Sequence, residues 1–186
     1  MTFIPARILC LSALALSQAV ALPARAQAPT SWSLAGAGCV PTGQTASSIG
    51  TFNSAGDSKF AAGRIGEIIL TCPVPSSLPG AVFFAITYRD PDGRAVATRV
   101  RAVLRQKELH NGAVSDVAWA RLDSNDRPPA PANVRIFANA PNACNGGGFV
   151  FDHSRFTYYI QVNMERRVAT GDVLLASVDL GTSLIC

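Results

Sequence analysis

The sequence predicts an all-β protein, an antiparallel β-sandwich or jelly roll of about seven to eight strands. Residues 156–164 alternate without interruption between apolar and polar side chains, which is the period of a strand with one buried face. Residues 82–122 hold two turn motifs between alternating stretches. No amphipathic helix of about ten residues or more follows the N-terminal segment. Short strands separated by turns are typical of two packed antiparallel sheets.

We expect the first 26 residues to be a cleaved secretory signal peptide. Residues 1–7 carry one positive charge, residues 8–20 are mostly apolar, and Ala24-Arg25-Ala26 supplies the small-x-small pattern of a cleavage site. The weaker alternative is an uncleaved anchor, because the apolar run is shorter than the roughly 20 residues that span a bilayer. Residues 27–186 are then a single periplasmic or extracellular domain with no membrane span after cleavage.

The net charge gives little information about partners. The whole chain carries a formal charge of +4, and loss of Arg7 and Arg25 with the signal leaves 14 basic and 12 acidic side chains, or +2. A charge this small does not indicate nucleic acid or an anionic membrane. We therefore expect no nucleic-acid partner and keep a glycan or another cell-surface component as the candidate partner.

The cysteines predict disulfides. Cys10 leaves with the signal, and four cysteines remain: Cys39, Cys72, Cys144 and Cys186. Disulfides are stable in exported proteins, and four cysteines allow three pairings. Pairing of nearest neighbours closes the shortest loops, so we expect Cys39–Cys72 and Cys144–Cys186.

No motif predicts a metal, a cofactor or catalysis. There is no C-x-x-C pair, and His110 and His153 are far from the cysteines in sequence. Asp152-His153-Ser154 holds the residue types of a hydrolase triad. Neighbours on an extended chain point to opposite faces, however, so these three cannot form the Ser–His–Asp relay among themselves. We expect no catalytic residues, no cofactor and no enzyme activity.

The first of the two turn motifs is Asp90-Pro91-Asp92-Gly93. It has the chemistry of a type I turn that closes a three-residue hairpin loop with a glycine bulge. A register that pairs Asp90 with Arg94 also places Tyr88 opposite Val96 and keeps the arginines off the apolar face. This motif predicts a hairpin over residues 82–104.

The second turn motif is Asn111-Gly112, a strong two-residue hairpin turn. It predicts that Leu109 pairs with Val114 and Lys107 with Asp116. Together the two hairpins predict a three-stranded meander over residues 82–122.

The candidate ligand-binding residues are Arg99, Arg101 and Tyr159. The arginines lie on the predicted outer face of the first hairpin, and Tyr159 is an aromatic residue on the polar side of its own strand. An aromatic ring beside polar groups on a strand face is an arrangement that sugar-binding sandwiches often use. A solvated outer face is the alternative explanation for the arginines, because charged side chains are mostly exposed.

Two resemblances accompany these patterns. Phe60-Ala-Ala-Gly63, Leu70-Thr-Cys-Pro-Val74, Tyr88-Arg-Asp-Pro-Asp-Gly93 and Tyr158-Tyr-Ile-Gln-Val162 together resemble a group of small exported bacterial proteins that are uncharacterised. That resemblance implies a β-sandwich over most of the mature chain and implies no function. The stretch from Gly66 to Cys72, after an early cysteine, is similar to secreted pilin-like, spore-coat-type domains.

Four functional hypotheses follow. The first is a non-catalytic exported module, structural or ligand-binding. The second is a module that binds carbohydrate or the cell surface through Tyr159 and nearby arginines. The third is a pilin-like surface subunit that assembles by strand addition, and the least favoured is a hydrolase that uses His153.

Overall fold

The computed structural model describes residues 31–42, 50–52 and 55–182. The predicted signal peptide and Cys186 lie outside the described residues. Within them, two antiparallel sheets pack against each other, so the predicted all-β fold is confirmed. The helical segments described are 3-10 turns of three residues: Gly36–Gly38, Ser124–Asp126 and Ala143–Asn145. None of the helices in this part of the chain has the length and apolar character to cross a membrane.

Six of the described strands form the first sheet. They are β1 (Ser31–Ala35), β3 (Gly50–Phe52), β4 (Ser58–Phe60), β7 (Phe83–Asp90), β10 (Ala130–Asn139) and β13 (Leu174–Gly181). The order is β10-β7-β13-β4-β3, and β1 pairs with β13 on the same edge as β4. β4 pairs with Leu174 and Leu175 at the start of β13, and all of β1 pairs with the rest of that strand, from Ser177 to Gly181.

The second sheet contains five described strands in the order β2-β5-β12-β8-β9. They are β2 (Val40–Thr42), β5 (Gly66–Pro73), β8 (Thr98–Glu108), β9 (Val114–Asp123) and β12 (Phe156–Arg166). A separate short ladder joins β6 (Gly80–Ala81) to β11 (Phe149–Val150).

The alternation predicted for residues 156–164 is confirmed in β12. Ile160, Val162 and Met164 are fully buried and belong to a core that includes Phe84 and Val178 of the first sheet. Full burial of such side chains contributes about 1.5–3 kcal/mol each. The intervening residues of β12 therefore face away from the core.

The second predicted hairpin is confirmed, with a register shifted by two residues. β8 and β9 are joined through Asn111-Gly112, but Val114 pairs with Lys107 and not with Leu109. The Asn111 side chain explains the wider loop, because it accepts a hydrogen bond from the Ala113 amide at 2.8 Å and donates to Glu108 at 2.8 Å. A longer loop thus replaces the predicted two-residue turn.

The first predicted hairpin is wrong. Tyr88 pairs with Val134 and Leu175 within the first sheet, and Val96 is 68% exposed. β8 lies in the second sheet between β12 and β9. The chain therefore crosses from one sheet to the other over residues 91–97, and the predicted meander does not form.

Hydrogen bonds to Asp90 and Asp92 stabilise this crossing. The buried Asp90 carboxyl accepts hydrogen bonds from the Thr98 hydroxyl at 2.5 Å and from the Ser124 hydroxyl. Asp92 accepts from the backbone amides of Ala97 at 2.8 Å and Thr98 at 3.1 Å. The end of β7 is thereby tied to the start of β8 and to the turn that follows β9, so turn residues suited to a hairpin instead build a corner.

The two carboxyls differ in acidity, because their surroundings shift their pKa values in opposite directions. Burial raises the pKa of Asp90, and its hydrogen bond with Asp92 raises it further. Burial alone would raise the pKa of Asp92 as well, but hydrogen bonds from Asp90 and Thr98 outweigh that effect and lower it. Asp90 is therefore the weaker acid of the two.

Asp90→Asn should become more stable relative to the wild type as the pH rises from the ordinary aspartate pKa, about 4, through the raised pKa of Asp90. The raised pKa means that the folded protein keeps a proton that the unfolded chain has already released. This contribution to stability is present below the ordinary aspartate pKa and is lost as the pH rises through the raised value. Asparagine stays neutral at every pH and so lacks this contribution. Urea unfolding at several pH values measures the difference.

Asp90→Ala is the companion variant. It leaves the Ser124 hydroxyl without its acceptor, removes one of the two acceptors of the Thr98 hydroxyl, and should cost about 1–3 kcal/mol. A stability difference between the asparagine variant and the wild type that does not change with pH would contradict the raised pKa of Asp90.

The predicted disulfide between Cys39 and Cys72 is confirmed. It joins the residue before β2 to β5, with a Cα–Cα distance of 4.3 Å and a sequence separation of 33. Cys144 is also disulfide-bonded. Its predicted pairing with Cys186 lies outside the described residues and stays a prediction.

Replacing both Cys39 and Cys72 by alanine should lower the free energy of unfolding by about 3–4 kcal/mol. The cross-link restricts the unfolded chain between these positions, and its loss also frees the edge strand β2. Guanidinium unfolding of the oxidised proteins measures the change. An unaltered unfolding midpoint in the double variant would show that the bond contributes nothing to stability.

Candidate ligand-binding face

The polar side of the five-stranded sheet, here called the outer face, is the candidate site. β12 and β8 are central strands, so their outward residues lie side by side. On β12 these are Thr157, Tyr159, Gln161, Asn163 and Glu165, and on β8 they are Arg99, Arg101, Val103, Arg105 and Lys107. The register places Tyr159 between Pro73 of β5 and Arg105 of β8.

An open groove of about 500 Å³ lies on this face. It is lined by Thr42, Thr71, Pro73, Lys107, Val114, Thr157, Tyr158, Tyr159 and Gln161. These residues come from all five strands, so the groove crosses the sheet over about 19 Å. The half-buried Tyr159 lies on β12, the central strand of the groove. Thr157 is on the same strand, and Thr71 and Thr42 are on β5 and β2.

A chain of hydrogen bonds runs beside the groove from β9 to β5. Arg105 donates to Asp116 at 2.9 Å and to the Gln161 side-chain oxygen at 2.7 Å. The Gln161 amide donates to Asn163 at 2.8 Å, and the Asn163 amide donates to Glu67 at 2.6 Å. Each side chain fixes its neighbour, so the polar groups near Tyr159 are ordered before any ligand arrives.

The three predicted binding residues all lie on the outer face, at different distances from the groove. Tyr159 lines it. Arg101 pairs with Asn163, and Arg99 pairs with Glu165. Along β8 the arginines are four and six residues from Arg105, or about 13 and 20 Å. The structure thus places the arginines beyond the groove.

Arg99 is held in ion pairs. Its Nε donates to Asp123 at 3.0 Å, a second guanidinium nitrogen contacts the same carboxylate, and Glu165 lies 3.7 Å away. Burial alone would raise the pKa of Asp123, but the hydrogen bond from Arg99 and further polar contacts lower it. Arg99 therefore neutralises a buried carboxylate.

Arg101 has a different environment. The pKa of Asp123 is also lowered by the nearby charge of Arg101, but Arg101 forms no hydrogen bond or ion pair with any described residue, and its Nε is buried without an acceptor. Of the two predicted arginines, Arg101 is therefore the one whose guanidinium can donate to a ligand.

Several groove residues are not evident from the sequence alone. Thr71 and Pro73 of β5 and Lys107 of β8 meet only because both strands pair with β12. Gln161 could have been found, since it follows Tyr159 by two residues and so shares its face.

The side chains of Ser154 and His153 in Asp152-His153-Ser154 have different hydrogen-bond partners. The Ser154 hydroxyl donates to Asp152 at 2.6 Å, and His153 Nε2 lies 2.9 Å from the Leu78 carbonyl oxygen. The imidazole packs edge-on against Tyr158, with ring centroids 5.3 Å apart. The histidine is thus tied to the backbone and has no contact with the serine hydroxyl.

Comparisons with known proteins show distant likenesses. No family model and no curated protein matches the chain. A family two carbohydrate esterase from Cellvibrio japonicus aligns at 10% identity and a TM-score of 0.40, covering 82% of this chain and 34% of the esterase. The xylan-binding module CBM15 aligns at 12% identity and a TM-score of 0.43, covering 84% of this chain and 98% of the module. Both scores are below 0.5, so neither likeness indicates a ligand for this chain.

Arg99→Ala should lower the free energy of unfolding by about 1–3 kcal/mol, because it leaves the Asp123 carboxylate buried without its main donor. Arg101→Ala is the matched control on the same strand and should cost less than about 1 kcal/mol, since it breaks no hydrogen bond. Urea unfolding of both variants measures the difference. Equal costs would contradict the separate roles of the two arginines.

Proposed function

We propose that the protein is an exported, non-catalytic glycan-binding module and that the groove on the outer face takes the sugar chain. The observation that carries this proposal is Tyr159 in an open groove beside a hydrogen-bonded row of side-chain amides. An aromatic ring offers a large apolar surface with a defined orientation, which suits the apolar face of a pyranose ring. Amides and hydroxyls around the ring supply partners for the sugar hydroxyls.

The shape of the groove favours a polymer over a small molecule. Small-molecule sites are concave and bury most of their ligand. This groove instead lies open on a sheet surface and crosses five strands, from Thr42 on β2 to Val114 on β9. An extended chain can lie along it with both ends free, so an internal segment of a polysaccharide fits better than a chain end.

The ordering of the groove supports a modest but specific affinity. Gln161 and Asn163 are already held by Arg105 and Glu67, so binding immobilises few side chains. Each hydrogen bond to the ligand contributes about 0.5–1.5 kcal/mol after exchange with water. Recognition then depends on several weak contacts arranged around one stacking ring.

The compartment is consistent with this function. The Cys39–Cys72 disulfide is typical of proteins outside the cytoplasm. With the predicted signal peptide, it supports export to the periplasm or beyond the cell. Polysaccharides of the cell surface are accessible there.

Tyr159→Ala should weaken glycan binding about tenfold or more, because it removes the stacking surface, whereas Tyr159→Phe should keep most of the affinity. A glycan array identifies ligands, and isothermal titration calorimetry measures the affinities. Phe137→Ala is the matched control, because Phe137 is an aromatic residue of β10 in the other sheet and is 57% exposed.

Two results would contradict the proposal. One is a mature, oxidised protein that binds no polysaccharide on the array or in pull-down. The other is glycan binding that Phe137→Ala abolishes and Tyr159→Ala leaves intact, which would place the ligand on the first sheet.

A further inference from the structure

On the outer face, more acidic than basic side chains already have a hydrogen-bond or ion-pair partner. Its carboxylates are Glu67, Asp116, Asp123 and Glu165, and its cations are Arg99, Arg101, Arg105, Lys107 and Arg121. The two sets nearly balance in formal charge. They differ in how many of their members already have partners among the described residues.

Every carboxylate of the face is engaged. Asp116 accepts from Arg105 at 2.9 Å, and Asp123 accepts from Arg99 at 3.0 Å. Glu165 accepts from Arg167 at 3.2 Å, and Glu67 accepts from Asn163 at 2.6 Å. Three of the four carboxylates are thus paired with an arginine, and the fourth, Glu67, accepts from a neutral amide.

Three cations have no such partner. Arg101, Lys107 and Arg121 form no ion pair and no side-chain hydrogen bond with any described residue, whereas Arg99 and Arg105 each hold a carboxylate. A half-buried guanidinium with an unpaired donor, such as that of Arg101, is an unfavourable arrangement that an anionic acceptor would relieve.

The three cations without a partner lie on the same side of Tyr159, on β8 and β9. Arg101 and Lys107 face outward from β8 and are six residues apart, about 20 Å along the strand. Arg121 faces outward from β9 opposite Val103, between them. Lys107 also lines the groove. The result is a positive strip over β8 and β9 that runs beside the aromatic residue.

We infer that the glycan bound by the outer face is anionic, a polysaccharide that carries carboxylate or sulfate groups and contacts Lys107, Arg101 and Arg121. This inference rests on the proposed glycan-binding function. The overall charge of the mature chain gives no hint of it, because acidic groups elsewhere in the chain offset these three cations in the sum. Stacking on Tyr159 would hold a sugar ring, and the strip would select sugars by their acidic groups.

The test compares ligands of one length by calorimetry at two salt concentrations. The ligands are an oligogalacturonate, a sulfated glucan oligosaccharide, a neutral glucan oligosaccharide and a single-stranded DNA oligonucleotide. The wild type should bind an acidic oligosaccharide about tenfold more tightly than the neutral one at low salt, and the gap should shrink as salt screens the strip. Comparison of the carboxylated and sulfated ligands identifies which acidic group is preferred.

Variants connect this preference to the strip. Arg101→Gln, Lys107→Gln and Arg121→Gln should each lower the ratio of acidic to neutral affinity about threefold, and the triple variant should lower it about tenfold. Arg94→Gln is the matched control, since Arg94 is exposed in the crossing and lies off the outer face. It should leave the ratio unchanged.

The outcomes separate the inference from the proposed function. Equal affinity for acidic and neutral glycans, lost in Tyr159→Ala, would overturn the inference and leave the glycan-binding function standing. Binding of no glycan of either kind would remove both. DNA binding as tight as that of the acidic glycan, and unaffected by Tyr159→Ala, would also overturn the inference, because the strip would then bind polyanions without reading a sugar.

Discussion

The pairing of β12 with β5 on one side and β8 on the other is the constraint on which both the core and the site depend. Its even-numbered residues from Tyr158 to Met164 fill the core, and its odd-numbered residues form the outer face. A slip of one residue would bury Gln161 and Asn163 and expose four apolar side chains. The hydrophobic penalty that fixes the core therefore also fixes where Tyr159 points.

The crossing between the sheets places β8, with its charged side chains, next to β12. A hairpin at Asp90–Gly93 would have kept residues 98–108 beside β7 in the first sheet. The buried Asp90, held by Thr98 and Ser124, instead directs the chain to the second sheet. Only there does β8 lie next to β12, with Arg105 and Lys107 beside the groove. A polar interaction in the interior thus determines which charges surround the aromatic residue.

Sequence reasoning succeeds where the relevant interaction is local or periodic. The alternation of β12, the hairpin through Asn111-Gly112 (though not its register) and the disulfide between Cys39 and Cys72 are all of this kind. It fails at Asp90–Gly93, because the same residues suit a hairpin and a corner. What decides between them is a partner 34 positions away in sequence, Ser124.

In the candidate site, too, one feature is predictable from the local pattern and another depends on a residue distant in sequence. Tyr159 is recognisable from its position on the polar side of an alternating strand. The difference between Arg99 and Arg101 is not, because the register of β8 and β9 places Asp123 opposite Arg101 whereas the Asp123 carboxylate accepts its hydrogen bond from Arg99. Two arginines that look equivalent in the sequence therefore differ in the structure: one balances a buried acid, and the other has a free guanidinium.

Binding along the outer face can be mapped directly by titrating the isotopically labelled mature protein with an oligogalacturonate and following its amide resonances by NMR. If the glycan binds on the outer face, we expect saturable shift changes in β12 around Tyr159 and Gln161 and in the neighbouring parts of β5, β8 and β9. β7, β10 and β13 should be unaffected. Changes centred on β10, or no saturable changes with any glycan, would contradict it.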